Sequence, residues 1–273
     1  MSRSGKALAT APAVRLYRAF RLLLHVLAGL LEIALLFPFY SRLRRNRAVG
    51  RWSARLPAIL GVRIRMHGHP PRELHRAAVV VANHVSWLDI QIIHSVWQVR
   101  FVAKSEVRQW PVIGWMSARA GTLFIERGKG RHAARINQTI HAAISRGDAI
   151  GIFPEGSTTD GTELTRFHAS LLQPAVVEGA VVHPIALRYR DADGNINVDA
   201  SYVGETTLAE SLHKILAQRT ILAEMIFLPP IDASNKSRRE LAAQTQSAIA
   251  AALNLPISDR KPDMSAGPRG VPR

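Results

Sequence analysis

The segment 81–90, VANHVSWLDI, sets His84 and Asp89 five positions apart. An imidazole held by a carboxylate is a general base, able to take the proton of a hydroxyl near neutral pH. Two later segments add to this chemistry. GTLFIER (121–127) carries Arg127 just past an apolar run, and GIFPEGSTTDG (151–161) carries Glu155 just past the next one. A base, a cation and a carboxylate suit an anionic substrate whose hydroxyl must lose its proton. The chain has no cysteine and no G-x-S-x-G elbow, so covalent catalysis by a thiolate or an activated serine has no support. Each feature also has a purely structural reading: a helix cap for Asp89, a turn for His84, a loop arginine, a proline-glycine turn.

The elements around His84 decide whether the pair can meet. Residues 77–82 (AAVVVA) are short, apolar and valine-rich, which predicts a buried strand. Residues 86–96 predict a helix, with Ser86 as N-cap and Asp89 completing an acidic variant of the capping box. Inside a helix a five-residue offset turns through about 140°, so the two side chains would face apart. They meet only if His84 lies in the turn before the helix and Asp89 reaches back from its first turn. That places the histidine at the C-terminal end of a strand, where ligands gather in open α/β sheets.

The rest of the body alternates in the same way. Strands are expected at 62–66, 100–104, 122–126, 149–153, 180–189, 197–203 and 220–228. Helices are expected at 111–119, 131–146, 169–178, 207–217 and 237–253. The alternation predicts an α/β fold, a mainly parallel or mixed sheet flanked by helices. Two motifs are decoys. GKGRHA (128–133) matches a dinucleotide-binding turn but lacks the acidic residue expected about twenty positions on. DADGN (191–195) resembles a calcium loop with its glycine misplaced and reads instead as a turn.

Composition narrows the partners. The 273 residues carry 36 Lys+Arg against 20 Asp+Glu, a formal charge of +16. Such a surplus suits an anionic membrane, nucleic acid or acidic substrates. Aromatic content is only 6%, and no RNA-binding or zinc-finger motif is present, so no nucleic-acid partner is expected. Residues 13–60 supply the better explanation. The run 22–39 is apolar, barely long enough for a span and interrupted by His25 and Glu32. Arg18, Arg21, His25, Gly29 and Glu32 fall on one helical stripe. After Pro38, Val49, Trp52, Leu56 and Ile59 form an apolar stripe among Arg42, Arg44, Arg45, Arg47, Arg51 and Arg55. Basic clusters at both ends of the apolar helix conflict with a single span and favour a helix pair lying in one leaflet. A single transmembrane anchor is the alternative. The expected organisation is a disordered segment 1–12, a membrane-associated helix pair 13–60, a catalytic domain 61–255 and a disordered tail 256–273.

NHVSWLD resembles the N-H-x-x-x-x-D box of the glycerolipid acyltransferases typified by lysophosphatidic acid acyltransferase. KSEVRQWPVIGW with GTLFIER is similar to the family's second block, FPEGST to its third and VVHPIAL (181–187) to its fourth. The apolar, basic N-terminus also resembles the family's two-helix membrane motif. The resemblance implies acyl transfer from acyl-CoA or acyl-carrier protein to the hydroxyl of a lysolipid at the cytoplasmic face of the cell membrane. It implies no metal and no redox cofactor. His84 would be the base and Asp89 its partner. Arg127 would bind the acceptor's phosphate, with Glu155, Gly156, Ser157 and Thr158 shaping the acceptor site. Lys104, Lys129 and Arg131 are further candidates for phosphate or donor contacts. Backbone N–H groups at the helix start would stabilise the oxyanion. Thr158 departs from the pattern, standing where lysophosphatidic acid enzymes commonly carry arginine. The expected acceptor is lysophosphatidic acid, with lyso-ornithine lipid as the alternative. A basic membrane-binding protein without catalysis is the non-enzyme alternative.

Overall fold

Val79, Val80 and Val81 are all buried, so the strand they form is covered on both faces, as an unbroken apolar run requires. The computed structural model describes residues 10–71, 78–125 and 131–259, with the side chains of 131–136 excepted. Among the described residues one sheet has eight strands: β1 (Val62–His67), β2 (Ala78–Ala82), β3 (Arg100–Lys104), β4 (Leu123–Ile125), β5 (Ile150–Ile152), β7 (Val181–Arg190), β8 (Ile221–Phe227) and β9 (Ile231–Asp232), in the order β1-β8-β7-β2-β5-β3-β4, with β9 also on β7. Neighbours from β7 through β4 are parallel, and β8 and β9 are antiparallel to β7. The mixed, mainly parallel sheet expected from the alternation is therefore present. β6 (Leu164–Thr165) pairs separately with β10 (Ile257–Ser258).

Helices cover both faces. On one side lie α2 (Arg42–Leu60), α3 (Leu88–Val96) and α7 (Leu208–Ala217). Leu60, Leu88, Ile92 and Ile215 pack there with Val80 and Ala82. On the other lie α5 (Arg131–Ser145), α6 (Gln173–Val177) and α8 (Arg238–Leu253), whose Ile140, Ile144, Leu241 and Ile249 pack with Val79 and Val81. α4 (Ile113–Arg119) is short. Thr207 and Ser237 cap α7 and α8 with complete capping boxes, which fixes where both helices start.

The N-terminal helix α1 (Pro12–Leu31) continues through a π turn and a 3₁₀ turn to Phe39 and folds back as α2. The run Pro12–Phe39 is 28 residues and contains an 18-residue window of mean hydropathy 2.2, long and apolar enough to cross a membrane. Its polar stripe faces the protein. The Arg18 guanidinium donates to the carbonyls of Gln218 and Arg219 at 2.8 and 2.9 Å. His25 stacks on Trp52 with centroids 4.8 Å apart, and Glu32 pairs with Arg51 at 3.4 Å. Leu16, Phe20, Leu23, Leu27, Leu31 and Leu35 are left exposed on the outside.

Leu56 and Leu60, near the end of α2, belong to the same core as Ile92 and Ile185, so the helix pair packs on the body. Two expectations need correction. Residues 197–203 form a 3₁₀ turn (Val198–Ala200) rather than a strand. The Asn197 side chain accepts from Ala200 N at 3.2 Å and donates to Gln218, so local bonds replace a ladder. Order continues beyond 256, where Ile257 and Ser258 pair with Leu164 and Thr165. The expected turn at 191–195 is present, with the Asp191 carboxylate accepting from the N–H groups of Asp193 and Asn195. The glycine-rich decoy lies largely outside the described residues.

Candidate active site

β2 ends at Ala82, and the turn 83–87 leads into α3. Asn83 fixes this turn to β7: its amide donates to Leu187 O at 2.9 Å, and its carbonyl accepts from Leu187 N at 2.7 Å. His84 thus stands at the strand's end, and Asp89 reaches back to it from the first turn of α3. His84 Nδ1 lies 2.8 Å from Asp89 Oδ2. The same oxygen accepts from the N–H groups of Val85 and Ser86 at 2.8 and 2.9 Å. Oδ1 accepts from the Tyr189 hydroxyl at 2.5 Å. Asp89 is fully buried, and this set of donors is what holds a carboxylate there.

This geometry fixes the imidazole. An ionised carboxylate only accepts, so Nδ1 carries the proton and Nε2 presents its lone pair. Phe153 stacks on the ring at a 3.9 Å centroid separation and 10°, and Phe101 stacks on Phe153 at 5.3 Å. Thr159 N donates to the His84 carbonyl at 2.8 Å. The side chain of His84 remains partly exposed.

The capping role expected of Ser86 belongs to Asp89 instead. Among the described residues the buried Ser86 hydroxyl has no hydrogen-bond partner, and Asp89 takes the N–H groups of the turn. The oxyanion role expected for backbone N–H groups is therefore closed to Val85 and Ser86, which are committed to the carboxylate.

Glu155 also departs from expectation. Its carboxyl is fully buried rather than lining an acceptor surface. Oε1 accepts from His84 N at 2.7 Å, and Oε2 accepts from Thr165 N and Oγ1, both at 2.9 Å. It is a strut tying the His84 turn to β6. Burial pushes its carboxyl up to about 7, against the pull of the Thr165 and His84 donors, and the Asp89 charge adds to the rise.

Gly156 turns the chain at φ 79°, a left-handed conformation that favours glycine. Ser157 and Thr158 are half-buried, and the Thr158 hydroxyl donates to the Tyr202 carbonyl, turned into the protein. Asp160 is half-buried and accepts from Thr162 N and Oγ1 at 2.9 and 2.6 Å. Lys104 is half-buried at the end of β3, on the same sheet edge as His84. Arg127 and Lys129 lie outside the described residues, and Arg131 opens α5 with its side chain undescribed.

Sequence reasoning missed Tyr189, Phe153 and Thr165. Phe153 is the first residue of the FPEGST block and was open to notice. Tyr189 shares an inward face with Ile185 and Leu187 at period two, a pattern that marks a buried tyrosine near the strand's end.

An acyltransferase family model matches residues 63–188. Over 209 residues the chain is 39% identical to the lyso-ornithine lipid O-acyltransferase of Pseudomonas aeruginosa, covering 77% of this chain and 79% of that one. Over 195 residues it is 36% identical to the 1-acyl-sn-glycerol-3-phosphate acyltransferase of Neisseria meningitidis, covering 71% and 76%. The crystal structure of the 1-acyl-sn-glycerophosphate acyltransferase PlsC from Thermotoga maritima shares the fold, with a TM-score of 0.67 at 19% identity, over 89% of this chain and 94% of that one. The chain belongs to the acyltransferase family that includes the lysophosphatidic acid and lyso-ornithine lipid enzymes, and it is an acyl-group transferase.

Proposed function

We propose that the protein acylates the free hydroxyl of a membrane lysolipid, with His84 as general base and acyl-CoA or acyl-carrier protein as donor. The observation that carries this is the 2.8 Å bond from His84 Nδ1 to buried Asp89, which leaves Nε2 as the proton acceptor. Nε2 takes the hydroxyl proton as the oxygen attacks the thioester carbonyl. The imidazolium is stabilised by Asp89. The tetrahedral intermediate collapses, the carbon–sulfur bond breaks, and the thiolate leaves with the proton returned from His84. Acyl chain and proton both balance without a resident metal or redox cofactor.

For the acceptor, we infer lyso-ornithine lipid. Thr158 stands in place of a cation and has its hydroxyl tied to Tyr202, while Asp160 adds an anion nearby. A zwitterionic head group needs fewer cations than a phosphomonoester. The relative from Pseudomonas aeruginosa carries that activity in its name. Lysophosphatidic acid, the first expectation from the motifs, is the second reading, supported by the Neisseria relative and by Arg127 just past β4.

The membrane arrangement supported best is monotopic, on the cytoplasmic face. Both ends of the apolar run are tied to one body: Thr10 N to Ala217 O at 2.9 Å at one end, and Ile33 and Phe37 against Ala48 and Met116 at the other. A helix fixed at both ends to the same body lies along a leaflet with Leu23, Leu27 and Leu31 immersed.

The acceptor is tested by measuring kcat/KM on both lysolipids with one acyl donor, for the wild type and Thr158→Arg. The wild type is expected to prefer lyso-ornithine lipid, and the variant to move toward lysophosphatidic acid. A wild-type preference for lysophosphatidic acid overturns the assignment.

A further inference from the structure

Between α1 and α2 lies an open groove of about 470 Å³, lined by Arg21, Leu24, His25, Arg55, Ala58 and Ile59. Two guanidinium groups from different helices flank one imidazole. Neither has a carboxylate within ion-pair distance among the described residues. Arg21 lies only over the Tyr17 ring, at 5.6 Å. Five other arginines of the body do have carboxylate partners, Arg51 with Glu32, Arg42 and Arg100 with Asp148, and Arg188 and Arg190 with Glu224.

The ring between them is fixed in place. His25 Nε2 lies 3.0 Å from Trp52 O, and Trp52 Nε1 donates to His25 O at 3.2 Å. The two rings stack within 14° of parallel. A carbonyl only accepts, so Nε2 carries a proton and Nδ1 is the atom the ring has left for a ligand. Beside the groove, Leu24, Leu27 and Leu31 are exposed on α1 at helical spacing, an apolar face adjoining the cations.

We propose that this groove binds the phosphate of one anionic phospholipid, with Arg21, Arg55 and His25 on the phosphate and the acyl chains against the exposed leucines of α1. Guanidinium forks match phosphate oxygens, and a neighbouring anion favours the protonated imidazole, which then donates from Nδ1. The location gives the site a consequence. Ile59 lies two residues before Gly61, after which Val62 pairs with Ile221. Leu222, next along β8, pairs with Arg190 at the end of β7. That is the sheet edge at which β2 delivers His84. A lipid held here keeps the catalytic edge at head-group level. The inference uses none of the acyl-transfer chemistry and does not depend on which acceptor is acylated.

The test uses the purified full-length protein in neutral detergent, titrated with dihexanoyl phosphatidylglycerol and, separately, with inorganic phosphate, and read by native mass spectrometry and calorimetry. Saturable binding of one lipid per chain is expected. Replacing both cations, Arg21→Gln with Arg55→Gln, should weaken it by about tenfold or more, the scale of one lost charge-assisted contact. Arg44→Gln with Arg47→Gln removes the same charge from exposed positions off the groove and should leave the affinity unchanged. Both groove arginines are exposed, and single Arg55→Gln carries the test should the double variant misfold. Equal loss in the two double variants means diffuse surface charge and overturns the site. Inorganic phosphate binding as tightly as the lipid, or no saturable lipid binding, also overturns it.

Discussion

The Tyr189 hydroxyl donates to Asp89 Oδ1 at 2.5 Å, while His84 Nδ1 holds the other oxygen of the same carboxylate at 2.8 Å. One buried carboxylate group therefore joins the His84 turn to the end of β7. Burial and the Asp89 charge keep the Tyr189 phenol far above its ordinary range, so it acts only as a donor. Tyr189→Phe leaves Asp89 Oδ1 buried without a partner, which costs about 1–3 kcal/mol. Chemical denaturation should show that loss. The fall in kcat should be smaller than that of His84→Ala, because the His84 contact survives. A variant as stable as the wild type would show that the bond contributes nothing.

Removing the base should be far more severe. His84→Ala is expected to lower kcat by ~10²–10⁴-fold while leaving vesicle binding intact. Asp89→Asn should also be severe, because an amide can donate toward Nδ1 and favour the wrong tautomer. Single-turnover assays on the two variants, beside a flotation assay, separate chemistry from membrane association. Near wild-type turnover in His84→Ala would remove the histidine from the mechanism.

Glu155 sets a pH dependence of stability. Its carboxyl is raised to about 7 in the fold from an ordinary value near 4.5. Between those values the folded state holds more protons than the unfolded state, so stability falls as pH rises through this window. Glu155→Gln should flatten that slope while losing one acceptor for the Thr165 donors. Denaturant midpoints from pH 4.5 to 8 for both proteins provide the check. A wild-type slope unchanged by the substitution would assign the dependence to another group.

Gly151 guards the ring stack behind His84. A Cβ there would lie 2.6 Å from Phe101 Cε1 and 2.9 Å from Val99 Cγ2. Overpacking of this kind costs about 1–3 kcal/mol. Because Phe101 stacks on Phe153 and Phe153 on His84, Gly151→Ala should reduce kcat as well as stability. A loss of stability with kcat unchanged would show that the stack does not position the base.

On the outer face of α1, Leu27→Glu with Leu31→Glu should weaken vesicle binding with little change in folding, since both side chains are exposed. Each immersed leucine contributes roughly 1.5–3 kcal/mol. Co-flotation with liposomes reads the effect directly, and unchanged partition would show that this face does not enter the bilayer.

The local parts of the site were legible in the sequence. A strand of small and β-branched apolar residues, a histidine in the following turn and an aspartate in the first helical turn lie within a dozen positions. Their geometry follows from strand and helix periodicity alone. The alternation of apolar runs likewise determined the α/β class and most element positions. Other features depended on partners distant in the chain. The pairing of Ala82 with Ile185 puts Leu187 beside Asn83 and carries Tyr189 to Asp89, 100 positions away. Thr165 reaches Glu155 because β6 packs beneath the turn, which turned an expected acceptor contact into a buried strut. The polar stripe of α1 was visible, but its direction was not. Periodicity says which residues share a face, and only the packing of α2 on the body decides that Arg18, His25 and Glu32 face protein while the leucines face outward.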